Sequence, residues 1–274
     1  MLDVRSGNPT IEMGVSLLIY ALATDYDDTI AYDGAVEPGT LAALRRLKSS
    51  GRLLLLVTGR EVSELLIVFP EVGIFDCVVA ENGAVLYDPK LQELTALASP
   101  PHASLVERLV GLNVSPLSVG HCIIATRQPH EGAVATVLRE LGLHLDMQLI
   151  FNKGAIMVLP VGVNKAFGLR SAFGRLGLSE QNVVGVGDAE NDHGFLAMCG
   201  RSAAVANALP SLRKAVNYTT FAERGAGVIE LIEMIIETDL AALPKRNLDS
   251  LTLVKQDEEE HYPEPQIEPT DRGA

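Results

Sequence analysis

The 274-residue sequence predicts an α/β fold: a doubly wound, Rossmann-like parallel sheet interrupted by a small α+β insert. Three observations carry this expectation. Apolar runs rich in Val, Ile and Leu recur along the chain. Each gives way to a polar or Gly-rich turn and then to a segment of helical period. Between about residues 85 and 160 that rhythm is lost.

The runs are SLLIYALAT (16–24), RLLLLVT (52–58), DCVVA (76–80), NVVGVG (182–187) and SAAVA (202–206). Continuous apolar runs of this length suit strands covered on both faces. Between them PGTLAALRRLKSSG (38–51), VNKAFGLRSAFGRLG (163–177) and NDHGFLAMCG (191–200) read as crossover helices, with Gly51 and Gly177 where helix C-caps are expected. Right-handed crossovers then place a ligand site outside the carboxyl ends of the strands.

The insert reads as a helix in VERLVGL (106–112), one strand in LSVGHCIIATR (117–127), a helix in HEGAVATVLRELGL (130–143), and two strands, LDMQLIF (145–151) and AIMVLP (155–160), joined by a turn at NKG (152–154). A short Gly turn between strands suits an antiparallel hairpin. The expected organisation is a core of residues 1–84 and 161–238, an insert of residues 85–160 above the strand ends as a lid, and a tail over 239–274. That tail is acidic and Pro-rich and is expected to be disordered.

Composition narrows the partners. With 47% hydrophobic and 21% charged residues, most of the chain is expected to fold. A net charge of -13 supplies no basic footprint, which excludes nucleic acid and an anionic membrane surface as expected partners. An anionic substrate must therefore be captured by local cations, backbone amides or a metal ion. Cys77, Cys122 and Cys199 are widely spaced and odd in number, so neither a disulfide framework nor a zinc cluster is expected, and a reducing cytoplasm is. No signal peptide or spanning helix is expected, and the sequence carries no signature of oligomeric state.

Short features follow the strands: DYDDT (25–29), TGR (58–60), Lys165 after the insert, and GDAEND (187–192). Each has an ordinary reading alone. Asp-rich turns are common, Thr58 suits a helix cap, Lys165 a solvated surface, and acids suit a helix N-terminus. Together they bring carboxylates, a hydroxyl and an ammonium to neighbouring strand ends. Two carboxylates about 4 Å apart at an effective dielectric near 20 repel by roughly 4 kcal/mol, so the cluster asks for a cation. Asp25 and Asp188 are hard oxygen donors suited to Mg²⁺ completed by a substrate phosphate. With Lys165, the Thr58 hydroxyl and loop amides converging, a phosphoryl group can be held while one aspartate attacks phosphorus and a second moves the proton.

These residues resemble the motifs of the haloacid dehalogenase superfamily of phosphohydrolases over about residues 16–236. The resemblance implies Asp25 as nucleophile and Asp27 as acid/base with its backbone carbonyl on Mg²⁺. It implies Thr58, with Gly59, and Lys165 as phosphate-binding groups, and Asp188 with Asp192 as the acidic metal-binding motif. The insert lies between the second and third motifs. ENGA (81–84) and GDAEND are similar to the Cof-type, or IIB, branch, whose C2-type cap domains cover the site and whose members dephosphorylate small metabolites such as sugar phosphates. The short cap is closer to the phosphoglycolate and sucrose-phosphate phosphatases. One departure stands out: the family usually has Gly where this chain has Asp28, which implies a positive φ there and an added negative charge near the metal.

A lid sets specificity through its polar residues. The candidates are His121, Arg127, Asn152 and Lys153, with Arg60 and Asn191 from the core. The expected activity is Mg²⁺-dependent hydrolysis of a small phosphorylated metabolite through an aspartyl-phosphate. A phosphomutase of the same fold and a phosphoacceptor module without turnover are the alternatives.

Overall fold

The computed structural model of the chain describes residues 19–241 and residue 243. Its elements in chain order are β1 (Ala21–Asp25), β2 (Ala31–Tyr32), β3 (Ala35–Val36), α1 (Pro38–Ser49), β4 (Leu53–Val57), α2 (Val62–Val68), β5 (Cys77–Ala80), β6 (Val85–Asp88), β7 (Glu93–Ala96), α3 (Ala103–Gly111), β8 (Ser118–Val119), β9 (Ile124–Arg127), α4 (Glu131–Glu140), β10 (Met147–Asn152), β11 (Ala155–Pro160), α5 (Lys165–Leu176), β12 (Val183–Gly187), α6 (His193–Met198), β13 (Arg201–Ala204), α7 (Pro210–Ala215), β14 (Tyr218–Thr219) and α8 (Arg224–Thr238).

The main sheet has the order β14-β13-β12-β1-β4-β5-β6-β7, parallel from β14 to β5. β1, β5 and β12 are buried along their whole length, which is why they read as unbroken apolar runs rather than as alternating ones. β1 lies between β4, the next parallel strand in sequence, and β12, which comes after the insert. That reversal of strand order opens the crevice in which this fold class binds its ligands. Register aligns Asp25 with Val57 and Thr24 with Val186, so the residues leaving β1, β4 and β12 emerge side by side.

The helix that delivers Lys165 is defined at both ends. The Asn164 side chain accepts the Phe167 N–H at 3.0 Å, and Gly177 closes α5 in the left-handed region at φ +65. Gly51, at φ +88, stands just beyond α1 in the same role. Both fall where the sequence places C-caps.

Two expectations are corrected by strand pairing. Residues 85–96, assigned from sequence to the insert, form β6 and β7, which extend the main sheet antiparallel to β5. Their reversal breaks the βα rhythm, and β7 is largely exposed, so the run carries little apolar signal. The expected single strand over 117–127 is a hairpin, β8 and β9, folded back through a turn in which the Gly120 N–H donates to the Ile123 carbonyl at 2.9 Å.

A second sheet, β10-β11-β9-β8, is antiparallel throughout and packs with α3 and α4 around Leu105, Leu109, Ile124, Val134, Val137 and Val158. β11 is apolar on both faces because both are covered: Val158 points into this cluster, and Met157 and Leu159 join the main core. The sheet therefore lies on the main domain with its β10–β11 hairpin turned towards the ends of β1 and β12.

Residues 1–18, including the start of the first apolar run, lie outside the described residues, as does the tail beyond 243. The beginning of that tail belongs to the folded core: Arg52 donates to Asp239 at 2.6 Å, and Leu240 is buried. Among the described residues no helix is long and apolar enough to cross a membrane.

Candidate active site

Asp25 ends β1 and is buried, and its Oδ1 accepts from Lys165 Nζ at 2.6 Å. Lys165, the first residue of α5, also donates to Asp192 Oδ1 at 2.6 Å. Asp192 Oδ2 accepts the backbone N–H groups of Asp188 and Ala189 at 2.8 and 3.0 Å, which folds the loop after β12 around its own carboxylate. Gly187 makes room for this, since a Cβ there would stand 2.5 Å from Asp192 Oδ2. Asp188 accepts from the Thr29 hydroxyl at 3.2 Å and, through Oδ2, from Lys153 Nζ at 2.5 Å.

Asp25, Asp188 and Asp192 thus bring one carboxylate oxygen each to within 4.8 Å of one another. Burial pushes the Asp25 carboxyl well above its ordinary value against the pull of Lys165, and neighbouring Asp192 and Asp188 add to the rise. Burial raises Asp188 as well. Burial would discharge Lys165, but Asp192 and Asp25 outweigh it and hold the ammonium charged. Two ammonium groups, Lys165 and Lys153, face three carboxylates. An all-oxygen donor set with an uncompensated negative charge fits a hard divalent cation.

Asp27 turns the other way. It is half exposed and held by Arg60, whose Nε and terminal nitrogen donate at 2.9 and 2.7 Å, and its side chain lies outside the carboxylate group. The same pairing raises Arg60 above its ordinary value. Arg60 also ion-pairs with Glu64 and lies over the Tyr26 ring, 5.6 Å from its centroid.

Thr58 is fully buried. Its hydroxyl accepts the Arg60 N–H at 3.1 Å, and its backbone bonds to Val79 and Asn82, so it shapes the loop while Gly59 faces the cavity. That cavity, of about 220 Å³, is bounded by Asp25, Asp27, Gly59, Arg60 and Lys165 below and by Asn152, Lys153 and Met157 of the β10–β11 hairpin above. Asn152 Oδ1 is buried with no hydrogen-bond partner, so the roof carries an unsatisfied acceptor.

The remaining expected contacts lie elsewhere. Asn191 donates to Asn82 Oδ1 at 3.0 Å and does not line the cavity. His121 lies against Glu81, with Nδ1 3.2 Å from Oε1, and Arg127 is exposed at the end of β9; neither bounds the cavity.

Asp28 has φ +60, the backbone state that favours Gly. Its carboxylate accepts from Lys153 Nζ at 2.7 Å and from Arg224 Nε at 3.2 Å. Burial works against its ionisation, but these two cations outweigh burial and hold the carboxyl below its usual range. Arg224 was not legible as a site residue, because 196 positions separate it from Asp28 and no motif surrounds it. Glu64 could have been found from its i,i+4 spacing to Arg60.

Comparison with known proteins identifies the family and the fold. The model of the haloacid dehalogenase-like hydrolases matches residues 22–110 and 123–232. The chain is 29% identical over 218 residues to a phosphoglycolate phosphatase of Methanothermobacter thermautotrophicus, covering 77% of this chain and 96% of that protein. It is 31% identical over 227 residues to a phosphoglycolate phosphatase of Pyrobaculum aerophilum, covering 78% and 95%. Among solved structures, a haloacid dehalogenase-like hydrolase from Bacteroides thetaiotaomicron superposes with a TM-score of 0.67 at 19% identity, covering 79% of this chain and 99% of that one. A HAD subclass IIB sugar phosphatase superposes with a TM-score of 0.64 at 14% identity, covering 78% and 98%. These two share the fold.

Proposed function

Since the chain belongs to the haloacid dehalogenase-like hydrolase family, we propose that it hydrolyses a small phosphorylated metabolite, of the phosphoglycolate or sugar-phosphate kind, with Asp25 as nucleophile and Mg²⁺ as cofactor. That it is a phosphoric monoester hydrolase follows from the family and its relatives. The observation that carries the finer reading is the placement of Asp25: one oxygen on Lys165, the carboxylate at the floor of a small cavity.

The side chains of Asp25, Asp188 and Asp192, with the Asp27 carbonyl, would hold the cation, which when bound neutralises charge on the phosphate oxygens. An Asp25 oxygen attacks phosphorus, the P–O bond to the alcohol breaks, and the departing oxygen takes a proton from the Asp27 carboxyl. Water then attacks phosphorus, gives its proton back to Asp27, and the bond to Asp25 breaks. For this role Asp27 must exchange its Arg60 partner for the leaving group, and Arg60 at the cavity rim is then free to meet an anionic part of the substrate. Lys165 balances the charge of the phosphoryl group, with Thr58 and Gly59 shaping its loop.

In this reading residues 103–160 are the cap and the core includes β6 and β7. Asn152 and Lys153 are its substrate contacts. A cavity of about 220 Å³ favours a compact ester over a nucleotide-sized one. Buried positions for all three cysteines suit a reducing cytoplasm.

The test is a panel of metabolite phosphates with and without Mg²⁺. Phosphate release that needs Mg²⁺ and disappears in Asp25→Asn supports the reading. Transfer of phosphate to a second hydroxyl of a hexose phosphate, with none released, would identify a mutase instead.

A further inference from the structure

The turn Glu81–Gly83 touches three of the segments that build the site, the loops after β4 and β12 and the start of α5, without lining the cavity. The Glu81 N–H donates to the Arg60 carbonyl at 2.9 Å and the Asn82 N–H to the Thr58 carbonyl at 3.0 Å, which fixes the loop after β4. The Asn82 side chain meets Asn191 beside the loop after β12. Gly83 packs against the Asn164 carbonyl at the start of α5, where a Cβ would come within 1.9 Å. Three successive residues here hold positive φ, at +50, +52 and +103, a run that L residues disfavour and that persists only where surroundings enforce it.

The Glu81 carboxylate points the other way, into the cap. It is fully buried, and it accepts the backbone N–H groups of His121, Cys122 and Ile123 at 2.9, 2.7 and 3.2 Å. Consecutive N–H groups aimed at one point form an anion-binding nest, and here a core carboxylate fills it. Gly120 admits it, since a Cβ there would lie 2.8 Å from the carboxyl carbon. The nest runs straight into β9, which pairs with β11 through Arg127 opposite Ala155, immediately after Asn152–Gly154. A four-residue strand of about 14 Å therefore links the docked carboxylate to the cavity roof.

We propose that Glu81 is a positioning residue of the phosphatase reaction: docked in the 121–123 nest, it seats the cap so that Asn152 and Lys153 meet the strand ends. This rests on the functional reading above. A tilt at the nest is carried along β9 and β11 to the roof, which contacts the substrate's leaving group, whereas Asp25 and Lys165 stay on core elements. Loss of the carboxylate should therefore weaken substrate capture more than chemistry.

The experiment compares wild type, Glu81→Gln and Gly120→Ala by amide hydrogen exchange and by kinetics on the best metabolite ester and on p-nitrophenyl phosphate. The amide of Gln would set a donor against donors, and the Ala methyl presses on the carboxyl group without removing it, so the second variant carries the test if the first does not fold. Expected are faster exchange at residues 121–123 with β1 and β12 unchanged, and a fall in kcat/KM of roughly tenfold or more for the metabolite, mostly in KM, with kcat on p-nitrophenyl phosphate within about threefold. Unchanged exchange at 121–123, or equal losses of kcat on both esters with KM unmoved, would overturn the proposal. Wild type inactive on both esters would instead overturn the functional reading and the positioning role with it, the exchange data still reporting whether Glu81 anchors the cap.

Discussion

Lys153 Nζ, at the tip of the cap hairpin, lies 2.5 Å from Asp188 Oδ2 and 2.7 Å from Asp28 Oδ2, so one ammonium from the cap closes over carboxylates of two core loops. Asp188 is also one of the three carboxylates that could hold a cation, so on the proposed function the two charges compete for it. Lys153→Met should therefore separate two effects. Removing the competing charge lowers the Mg²⁺ concentration needed for half-activation, while losing a substrate contact raises KM by roughly tenfold. Activity titrated against Mg²⁺ and against substrate reads both.

Asp28→Gly tests why an acid stands at a positive φ where the resemblance implies Gly. Gly relieves the strain of φ +60 but gives up the links to Lys153 and Arg224, which are partly exposed and individually weak. Stability by thermal denaturation should change by no more than about 1 kcal/mol. The cap, released from one of its two carboxylates, should bind substrate more weakly, seen as a higher KM at nearly constant kcat.

Asp25 carries a pH signature. Its folded pKa is raised by burial, so between the ordinary carboxylate value and that raised value the native state holds a proton that the unfolded state has lost. Stability from this group is then present at low pH and lost as pH rises through the window. In metal-free protein, Asp25→Asn should be more stable than wild type at neutral pH, and the difference should shrink on acidification. Denaturant unfolding from pH 7 down to pH about 4 checks the sign.

Lys165→Met leaves Asp25 and Asp192 buried beside each other without their shared cation. Breaking a buried pair on one side costs about 3–5 kcal/mol, and activity should be lost with it. Added Mg²⁺ should recover part of the stability, measurable as a larger rise in Tm than wild type shows.

How much of this was legible in sequence follows burial. β1, β5 and β12 announce themselves because both faces are covered, and DYDDT and GDAEND stand out because charge follows those runs directly. β6 and β7 were hidden because β7 is exposed and the sheet reverses direction there. Asp25, Asp188 and Asp192 bring their carboxylates within 4.8 Å of one another at the strand ends, whereas the Asp27 side chain turns to Arg60, a choice set by three-dimensional charge balance rather than by spacing. Of the cap candidates, Asn152 and Lys153 reach the cavity because a hairpin tip projects. His121 and Arg127 do not, since the fold of 117–127 into two strands carries one to Glu81 and the other to solvent. Contacts such as Arg224 to Asp28 join distant segments and leave no local pattern.

The most direct measurement is acid-quenched turnover with a phosphate-labelled substrate and Mg²⁺, followed by peptide mapping. Label on Asp25 in wild type, with release of free phosphate, and neither label nor release in Asp25→Asn, is the expected result. Continued phosphate release by Asp25→Asn, or label on a different residue, would contradict the assignment of Asp25 as the nucleophile.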